Sequence, residues 1–541
     1  MDVHDDRAVA APEMRWDGWG DPDLATDLPR AVRALLPILL GRVSRPPVAP
    51  AIDEVEVDPS RLTTEDVSAL RAVVGEEFVF TDAQTRIRRA GGRSTPDLLR
   101  RRARRQRVPD AVIRPADHDE VRAVLQWAGE SGVAVVPFGG GTSVVGGVDP
   151  DAGGHRAVIA VDLVRLSGLV NVDEISGEAV LQAGTRAPEA ERLLAEHGFE
   201  LGHYPQSFRF ATIGGFAAAR SSGQNSAGYG RFDAMVTGLR AATPTGDLDL
   251  GRAPGSAAGP DLLRLLLGSE GAFGVITEVR VRVHRTPAQR IVESWSFPDF
   301  QTGVDALREV VQRGGAPTVI RLSDEAETGV SLAQIGRIGK ALAKGASALT
   351  VFEGEDAQER RARTARLLAG AGGSSSGRRA AEDWMRTRFD GPYLRDALLG
   401  AGVFCETLET ATTWSNLLRL RAAVTTALRE GFAAAGAKSF VMCHVSHVYP
   451  TGASLYFTVL AGLRGDQLSA WEVVKRGAGD AIMDAGGTIT HHHAIGRDHA
   501  PWLREEIGDT GIRILHAVKR ELDPQGIMNP GVLIPPEGDD D

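Results

Sequence analysis

The stretch PFGGGTSVVGG, residues 137–147, limits what this chain can fold into more than any other. It follows Val133–Phe138, an apolar run that reads as a buried strand. Gly139, Gly140 and Gly141 allow positive φ and a close backbone approach. Successive N–H groups in such a loop can converge on an anion, and Thr142 and Ser143 add hydroxyl donors. A pyrophosphate suits that chemistry. The spacing is neither GxGxxG nor GxxxxGKS, so neither a Rossmann nor a P-loop reading is supported. A purely structural glycine turn is the alternative.

The flanks predict an α+β fold. Val112–Arg114 reads as a strand, and Asp117–Ser131 as a helix with Val121, Val124, Leu125 and Ala128 on one face. Short strands continue through 157–287. In the last of them Val279, Val281 and Val283 alternate with Arg280, Arg282 and His284. Residues 290–480 read as a second domain, with strands at IVESWSFP, ALTVFEG and ASLYFTVL among helical stretches. GAGGSSSGR, 370–378, has the composition of a flexible loop, and a helix is expected over Asp509–Leu522. With 541 residues, two or three domains are expected. The divisions fall at 1–107, a partly helical extension, then 108–287, 288–485 and 486–541.

Several classes are disfavoured. A net charge of −10 makes nucleic acid a poor partner. Cys405 and Cys443 cannot make a disulfide framework or a CxxC metal site. The acidic N-terminus lacks the apolar core of a secretory signal, and no run approaches the roughly 18 apolar residues of a membrane span. The cytosol is the default compartment. Heavy use of Arg, Ala and Gly with scarce Lys hints at a bacterial source. Residues 30–41 carry Val32, Leu35, Leu36, Ile38, Leu39 and Leu40, an apolar face for a short helix that Pro37 interrupts. Packing on the main body is the first reading and contact with a membrane surface the second. DLLRRRARRQR, 97–107, reads as a helix with a solvated cationic face, or as a lure for an anionic substrate or headgroup.

GGTITHHHAIG, 486–496, places His491, His492 and His493 in a row. The stretch is internal, so it is not a tag. Consecutive residues on an extended chain point to alternate faces, so the three cannot easily share one metal, and no metal is expected.

PFGGGTS, QSFRFATIGG, SEGAFGVITE and a late NPG, in that order, resemble the FAD-binding fold of the vanillyl-alcohol oxidase (PCMH-type) flavoproteins. That resemblance implies a two-subdomain FAD-binding domain over 108–287, followed by an α/β cap over 288–485. The segment 486–541 would then carry the triplet back to the FAD domain. MRWDGWGDP, IRLSD, YLRDALLGAGVFCETLETATTW, ASLYFT and GGTITHHHAIG further resemble the alkyldihydroxyacetonephosphate synthase family, over roughly 14–535.

That family implies a redox-neutral exchange, through a flavin N5 adduct, of the acyl chain of acyl-dihydroxyacetone phosphate for a fatty alcohol. FAD would be held by Pro137, Phe138, Gly139, Gly140, Gly141, Thr142 and Ser143, and by Gln206, Ser207, Phe208, Arg209, Phe210, Ala211 and Thr212. Ala219, Arg220, Ser221 and Ser222 would add to it, with Glu270, Gly271, Ala272, Phe273, Gly274, Val275 and Ile276. PFGGGTS has no histidine to tether a flavin, so the FAD would be noncovalent.

Tyr456 matches the family's active-site tyrosine; nearby cations could lower its pKa so that it takes and returns a C1 proton. The triplet matches the family's histidines at the flavin, of which at most two would face it. Arg395 is the choice for the substrate phosphate, and Arg321 would touch substrate or brace the flavin. His444 and His447 lean to packing. Family members suggest a homodimer, and a long-chain substrate suggests peripheral membrane contact through 30–41. No peroxisomal address of the eukaryotic kind is found.

The rival reading is an FAD-dependent oxidoreductase of the same fold, acting on a 2-hydroxy acid or an alcohol. HVSHVYPTGASLYF and THHHAIG lack the acidic GDGN element and the Glu before His that hydroxy-acid dehydrogenases carry. A non-catalytic flavoprotein is a third reading, disfavoured by Tyr456 and the triplet.

Overall fold

The computed structural model describes residues 13–28, 30–41, 43–44, 48–334 and 345–535. The ends of the expected extension and C-terminal segment (1–12 and 536–541) and cap residues 335–344 lie outside them.

Four strands open the fold: β1 (Val79–Phe80), β2 (Ala111–Ile113), β3 (Val133–Phe138) and β4 (Ala157–Asp162), in the order β1-β2-β4-β3. β4 runs parallel to both β2 and β3. The helix His118–Ser131 crosses between β2 and β3; Asp117 caps its start, and Gly132, left-handed at φ 60, ends it. Next come β5 (Leu169–Asp173), β6 (Glu178–Gln182), β7 (Phe199–Glu200), β8 (Val236–Thr243), β9 (Gly246–Leu250), β10 (Val275–Arg282) and β11 (His284–Arg285). β7 pairs with β11, and the rest form an antiparallel sheet in the order β5-β6-β10-β8-β9. Val279, Val281 and Val283 are buried, as their alternation predicts. One core, including Leu125, Val135, Ile159, Leu181 and Val279, joins both sheets.

The second half is one antiparallel sheet of seven: β12 (Arg290–Phe297), β13 (Val319–Ser323), β14 (Ala346–Glu353), β15 (Ser374–Gly377), β16 (Phe404–Thr413), β17 (Ser439–Val448) and β18 (Gly452–Ala461). Its order is β15-β12-β14-β13-β17-β18-β16. The helices Phe300–Gln312, Leu417–Ala434 and Gln467–Asp484 cover one face, over a core containing Phe297, Leu322, Phe404, Val445 and Phe457. The chain then returns. Val135 N–H donates to the Ile527 carbonyl and Asn529 N–H to the Val135 carbonyl, both at 2.8 Å, lengthening the first sheet at β3.

Four local expectations are corrected. The helix Arg30–Leu40 runs through Pro37 without a break. Leu36 and Leu40 are buried but Ile38 and Leu39 are 73% and 62% exposed, so its apolar residues are split between two faces; the Leu35 side chain lies outside the described residues. The basic run is helical only to Arg102, and Arg101 is buried, donating to the Ala90 carbonyl. Part of its charge therefore serves packing. The serine-rich loop contributes β15, because its backbone can complete the free edge of β12. The last helix begins at Ala500, earlier than expected, with a kink at Gly508. Among the described residues no helix is long and apolar enough to cross a membrane.

Candidate active site

The expected residues converge where the cap sheet meets the first half. Register places Glu409 of β16 beside Tyr456 of β18, and Tyr456 beside His444 of β17. Three neighbouring strands thus set a carboxylate, a phenol and an imidazole in a row. The triplet lies over this row: Tyr456 is 6.0 Å from His492 and 5.7 Å from His493, centroid to centroid. The His444 ring stacks on Tyr456 at 4.9 Å.

Glu409 organises the loop. Its carboxylate accepts the N–H groups of His491, His492 and His493 at 2.7, 3.0 and 2.9 Å, and the Thr490 hydroxyl at 2.6 Å. Its side chain is fully shielded from solvent. Burial opposes its ionisation, but His492 above all, with His493 and His491, holds it well below the usual carboxylate range. On the other side, Glu270 accepts the N–H groups of Ile495 and Gly496 at 3.0 and 2.8 Å. The Val145 carbonyl, near the end of the glycine-rich stretch, accepts from the N–H groups of Arg497 and Asp498. Asn529, in NPG, donates to the carbonyls of Gly147 and Glu270. Glu270, Ala494 and Asn529 all hold positive φ at this seam, a strained backbone for residues with a Cβ.

His447 also belongs here. It accepts or donates at Nδ1 with the hydroxyls of Ser226 (2.5 Å) and Ser222 (3.2 Å), and its ring lies 5.0 Å from His491. His444 and His447 therefore both lie against the cluster of Tyr456 and the triplet. Strict alternation would separate them; with the irregular pairing between Val445 and Val448, His444 meets Tyr456 and His447 meets the triplet. Among the described residues, His447, His491 and His492 form the group whose nitrogens lie close enough, within 4.8 Å, to be weighed as metal ligands. Within this group the Nδ1 atoms of His491 and His492 are hydrogen-bonded to each other at 3.0 Å, and one must carry the shared proton.

The glycine loop fits an FAD pyrophosphate. A Cβ on Gly140 would lie 2.1 Å from the Phe210 carbonyl oxygen, and one on Gly139 would lie 2.4 Å from the Thr212 hydroxyl. Beside this close packing lies a small pocket lined by Gly139, Gly140, Phe210 and Thr212 with Arg88, Arg89, Arg93 and Arg186, in which Glu13 pairs with Arg88 and Arg89, and Asp162 with Arg89. Backbone glycines among arginines suit an anionic diphosphate.

Residues 109–249 match the family model for an FAD binding domain, and 286–533 that for the C-terminal domain of FAD-linked oxidases. An alkyldihydroxyacetonephosphate synthase of Trypanosoma brucei brucei is 32% identical across 97% of this chain and 93% of its own. The chain belongs to the alkyldihydroxyacetonephosphate synthase family. A Dictyostelium discoideum synthase is 30% identical over 97% of this chain and 94% of its own. A solved alkyldihydroxyacetonephosphate synthase superposes with a TM-score of 0.81 at 27% identity, covering 96% of this chain and 99% of that one. An Arabidopsis thaliana D-lactate dehydrogenase is 27% identical over 79% of this chain and 74% of its own.

The synthase-family arginines part company. Arg321, on β13, meets His444 Nδ1 at 2.9 Å and pairs with Glu327, beside the tyrosine row. Burial opposes ionisation of Glu327, yet His444 and Arg321 hold its carboxyl at about 2. Arg395, on the helix Gly391–Gly400, donates to Asp396 at 3.0 and 2.8 Å and to the Arg93 carbonyl. The N-terminal MRWDGWGDP stretch wraps this helix, with Trp19 N–H on Asp396 and Asp21 N–H on the Tyr393 hydroxyl. Arg395 is thus committed to that junction. Tyr456 corrects the expected direction of its pKa: burial raises its phenol to about 12, and Arg321 only partly opposes this. It stands protonated. Burial likewise lowers His491 well below the ordinary range and His493 to about 3, leaving both neutral.

Glu409 and Tyr449 were missed by sequence reasoning, and His447 was weighed as packing or an added site group, with packing preferred. The signal for Glu409 was a carboxylate inside an apolar strand, costly to bury without a purpose. The sequence did not show where His447 and Tyr449 would lie, because a strand irregularity and a hairpin turn place them.

Proposed function

We propose that this protein is an FAD-dependent alkyldihydroxyacetonephosphate synthase. It exchanges the acyl chain of acyl-dihydroxyacetone phosphate for a fatty alcohol, releasing a fatty acid. The observation that carries this reading is the convergence of Tyr456 and the triplet on Glu409, in a chain that aligns with such synthases along nearly its whole length.

FAD, when bound, supplies the electron reservoir for exchanging a carbon–oxygen bond without net oxidation. The protein's own groups bind, orient and move protons. Arg321 is better placed than Arg395 for the substrate phosphate, because it lies beside the tyrosine row and reaches it by giving up Glu327. Tyr456 holds a proton to give, and a substrate carbon that loses one must first find the phenol ionised.

The test is anaerobic incubation of the yellow protein with palmitoyl-dihydroxyacetone phosphate and hexadecanol, with lipid products read by mass spectrometry. Hexadecyl-dihydroxyacetone phosphate without an electron acceptor supports the synthase. Flavin bleaching by a 2-hydroxy acid, with no ether, replaces it with an oxidoreductase. Tyr456→Phe should lower kcat by about 10²–10⁴; a near wild-type rate removes the phenol from the chemistry.

In this reading 108–287 bind FAD, 288–485 cap the substrate, and 486–541 return the triplet to the flavin side. Exposed Ile38 and Leu39 support peripheral membrane contact by the helix Arg30–Leu40. Liposome flotation of the protein lacking 30–41 tests this, and unchanged flotation moves the contact elsewhere.

A further inference from the structure

The turn 270–274 has N–H groups of two kinds. Those of Glu270 and Ala272 are spent inside the protein, on the carbonyls of Ala218 and Ser269 at 3.0 and 2.8 Å. Those of Gly271 and Phe273 have no hydrogen-bond partner among the described residues, although both residues are buried. A buried donor left unpaired is costly. A Cβ on Gly271 would lie 2.7 Å from Pro137 Cγ, so this turn packs on the strand end that opens the glycine loop.

The carbonyls of the same turn face the C-terminal return. Asn529 donates to the Glu270 carbonyl at 2.6 Å and to the Gly147 carbonyl at 3.0 Å. A carbonyl only accepts, so the contacting atom must be Nδ2, and both of its protons are used. Lys519 Nζ donates to the Ala272 carbonyl at 2.8 Å and to that of Met528, and pairs with Asp523 at 2.7 Å. An ammonium has three protons, and these are its three acceptors. Asp523 in turn accepts the N–H groups of Ile527 and Met528 at 3.0 and 2.8 Å, which ties the lysine to the segment that carries Asn529. A trans peptide is planar, and its C=O points opposite to the next residue's N–H. Drawing the Glu270 carbonyl toward Asn529 turns the Gly271 N–H away from it. Drawing the Ala272 carbonyl toward Lys519 does the same for the Phe273 N–H.

We propose that Asn529 and Lys519 are positioning residues that hold the Gly271 and Phe273 N–H groups out as donors to bound FAD. FAD offers acceptors in its flavin carbonyls, ring nitrogens and phosphates. By holding Gly147 and Glu270 together, Asn529 also sets the spacing between the glycine-rich stretch and the turn. The proposal rests on the assignment of 270–276 to FAD and is independent of the lipid substrate. It gives the C-terminal return a task beyond closing the fold, since two of its side chains reach back to aim the cofactor's donors.

The experiment measures the FAD dissociation constant, by flavin fluorescence on dilution of the FAD-loaded protein, for Asn529→Gly and Lys519→Met. Glycine suits the φ of 40° at Asn529, so that variant removes the amide without straining the backbone. Each variant should raise the constant about tenfold, and Lys519→Arg, which keeps a charged donor, should restore most of the affinity. A merely structural brace would lower the unfolding midpoint and leave the constant unchanged, and that result overturns the proposal. Hydrogen exchange of wild type across an FAD titration, read by mass spectrometry, needs no variant. The amides of Gly271 and Phe273 should become protected as FAD binds. Protection at the glycine loop without protection at 271–273 overturns the proposal but keeps FAD at that loop; protection at neither removes the cofactor from both.

Discussion

Two buried carboxylates hold the same loop from opposite sides, and they are not alike. Glu409, from the cap sheet, meets three backbone N–H groups, a hydroxyl and the rings of His492 and His493. It stays ionised well below its ordinary range despite burial. Glu270, from the FAD-binding half, receives two backbone N–H groups, and burial lifts its carboxyl to about 7. Burial is common to both; the number and charge of the partners decides the outcome. The side of β16 keeps a fixed negative charge beside the histidines, and the side of Glu270 keeps a carboxyl that burial raises toward neutrality.

The largest effect should follow from breaking the stronger clamp. Glu409→Ala leaves four donors without their acceptor and should cost roughly 3–5 kcal/mol of stability in denaturant unfolding. An unchanged midpoint would mean that the loop is held elsewhere. Glu270→Gln should act through pH. A carboxyl raised in the folded state binds more protons folded than unfolded, so it lowers stability as pH rises from about 4.5 to about 7. Below that window it costs nothing, and above it the full amount, roughly 3 kcal/mol. Glu191 and Glu200, raised to about 8 and about 7, add parallel slopes. The readout is therefore wild type minus variant across the window, and parallel curves would contradict the raised Glu270. Glu409 has the opposite sign: its contribution is present above about 4.5 and is lost as pH falls. The smallest effect tests the cofactor side alone. Gly140→Ala, whose Cβ would meet the Phe210 carbonyl, should cost about 1–3 kcal/mol and reduce the FAD content. Full FAD content would place the pyrophosphate elsewhere.

Much of this arrangement is legible in the residues. The alternation of Val279, Val281 and Val283, and the strand before Gly139, report their own burial because both are local patterns. Tyr456 and the triplet are legible through motif resemblance, and the fold brings them together. Glu409 is not, because its meaning depends on a loop about eighty residues later in the chain. His447 needs a strand irregularity, and Tyr449 a hairpin turn. The pKa of Tyr456 is hidden for a similar reason: burial, not the nearest cation, sets it. The contacts of Arg395 with Asp396, and of Asp396 with the packed N-terminal stretch, are not legible in its motif, because they join segments hundreds of residues apart.

The most direct measurement compares wild type with FAD-loaded Glu409→Gln, anaerobically, with palmitoyl-dihydroxyacetone phosphate and hexadecanol. Ether, palmitic acid and the flavin spectrum are followed together. Wild type should form ether and acid in equal amounts and end with its flavin oxidised; the variant should keep its FAD and form neither. Ether from the variant at the wild-type rate, or lasting flavin reduction without ether in wild type, would contradict the account.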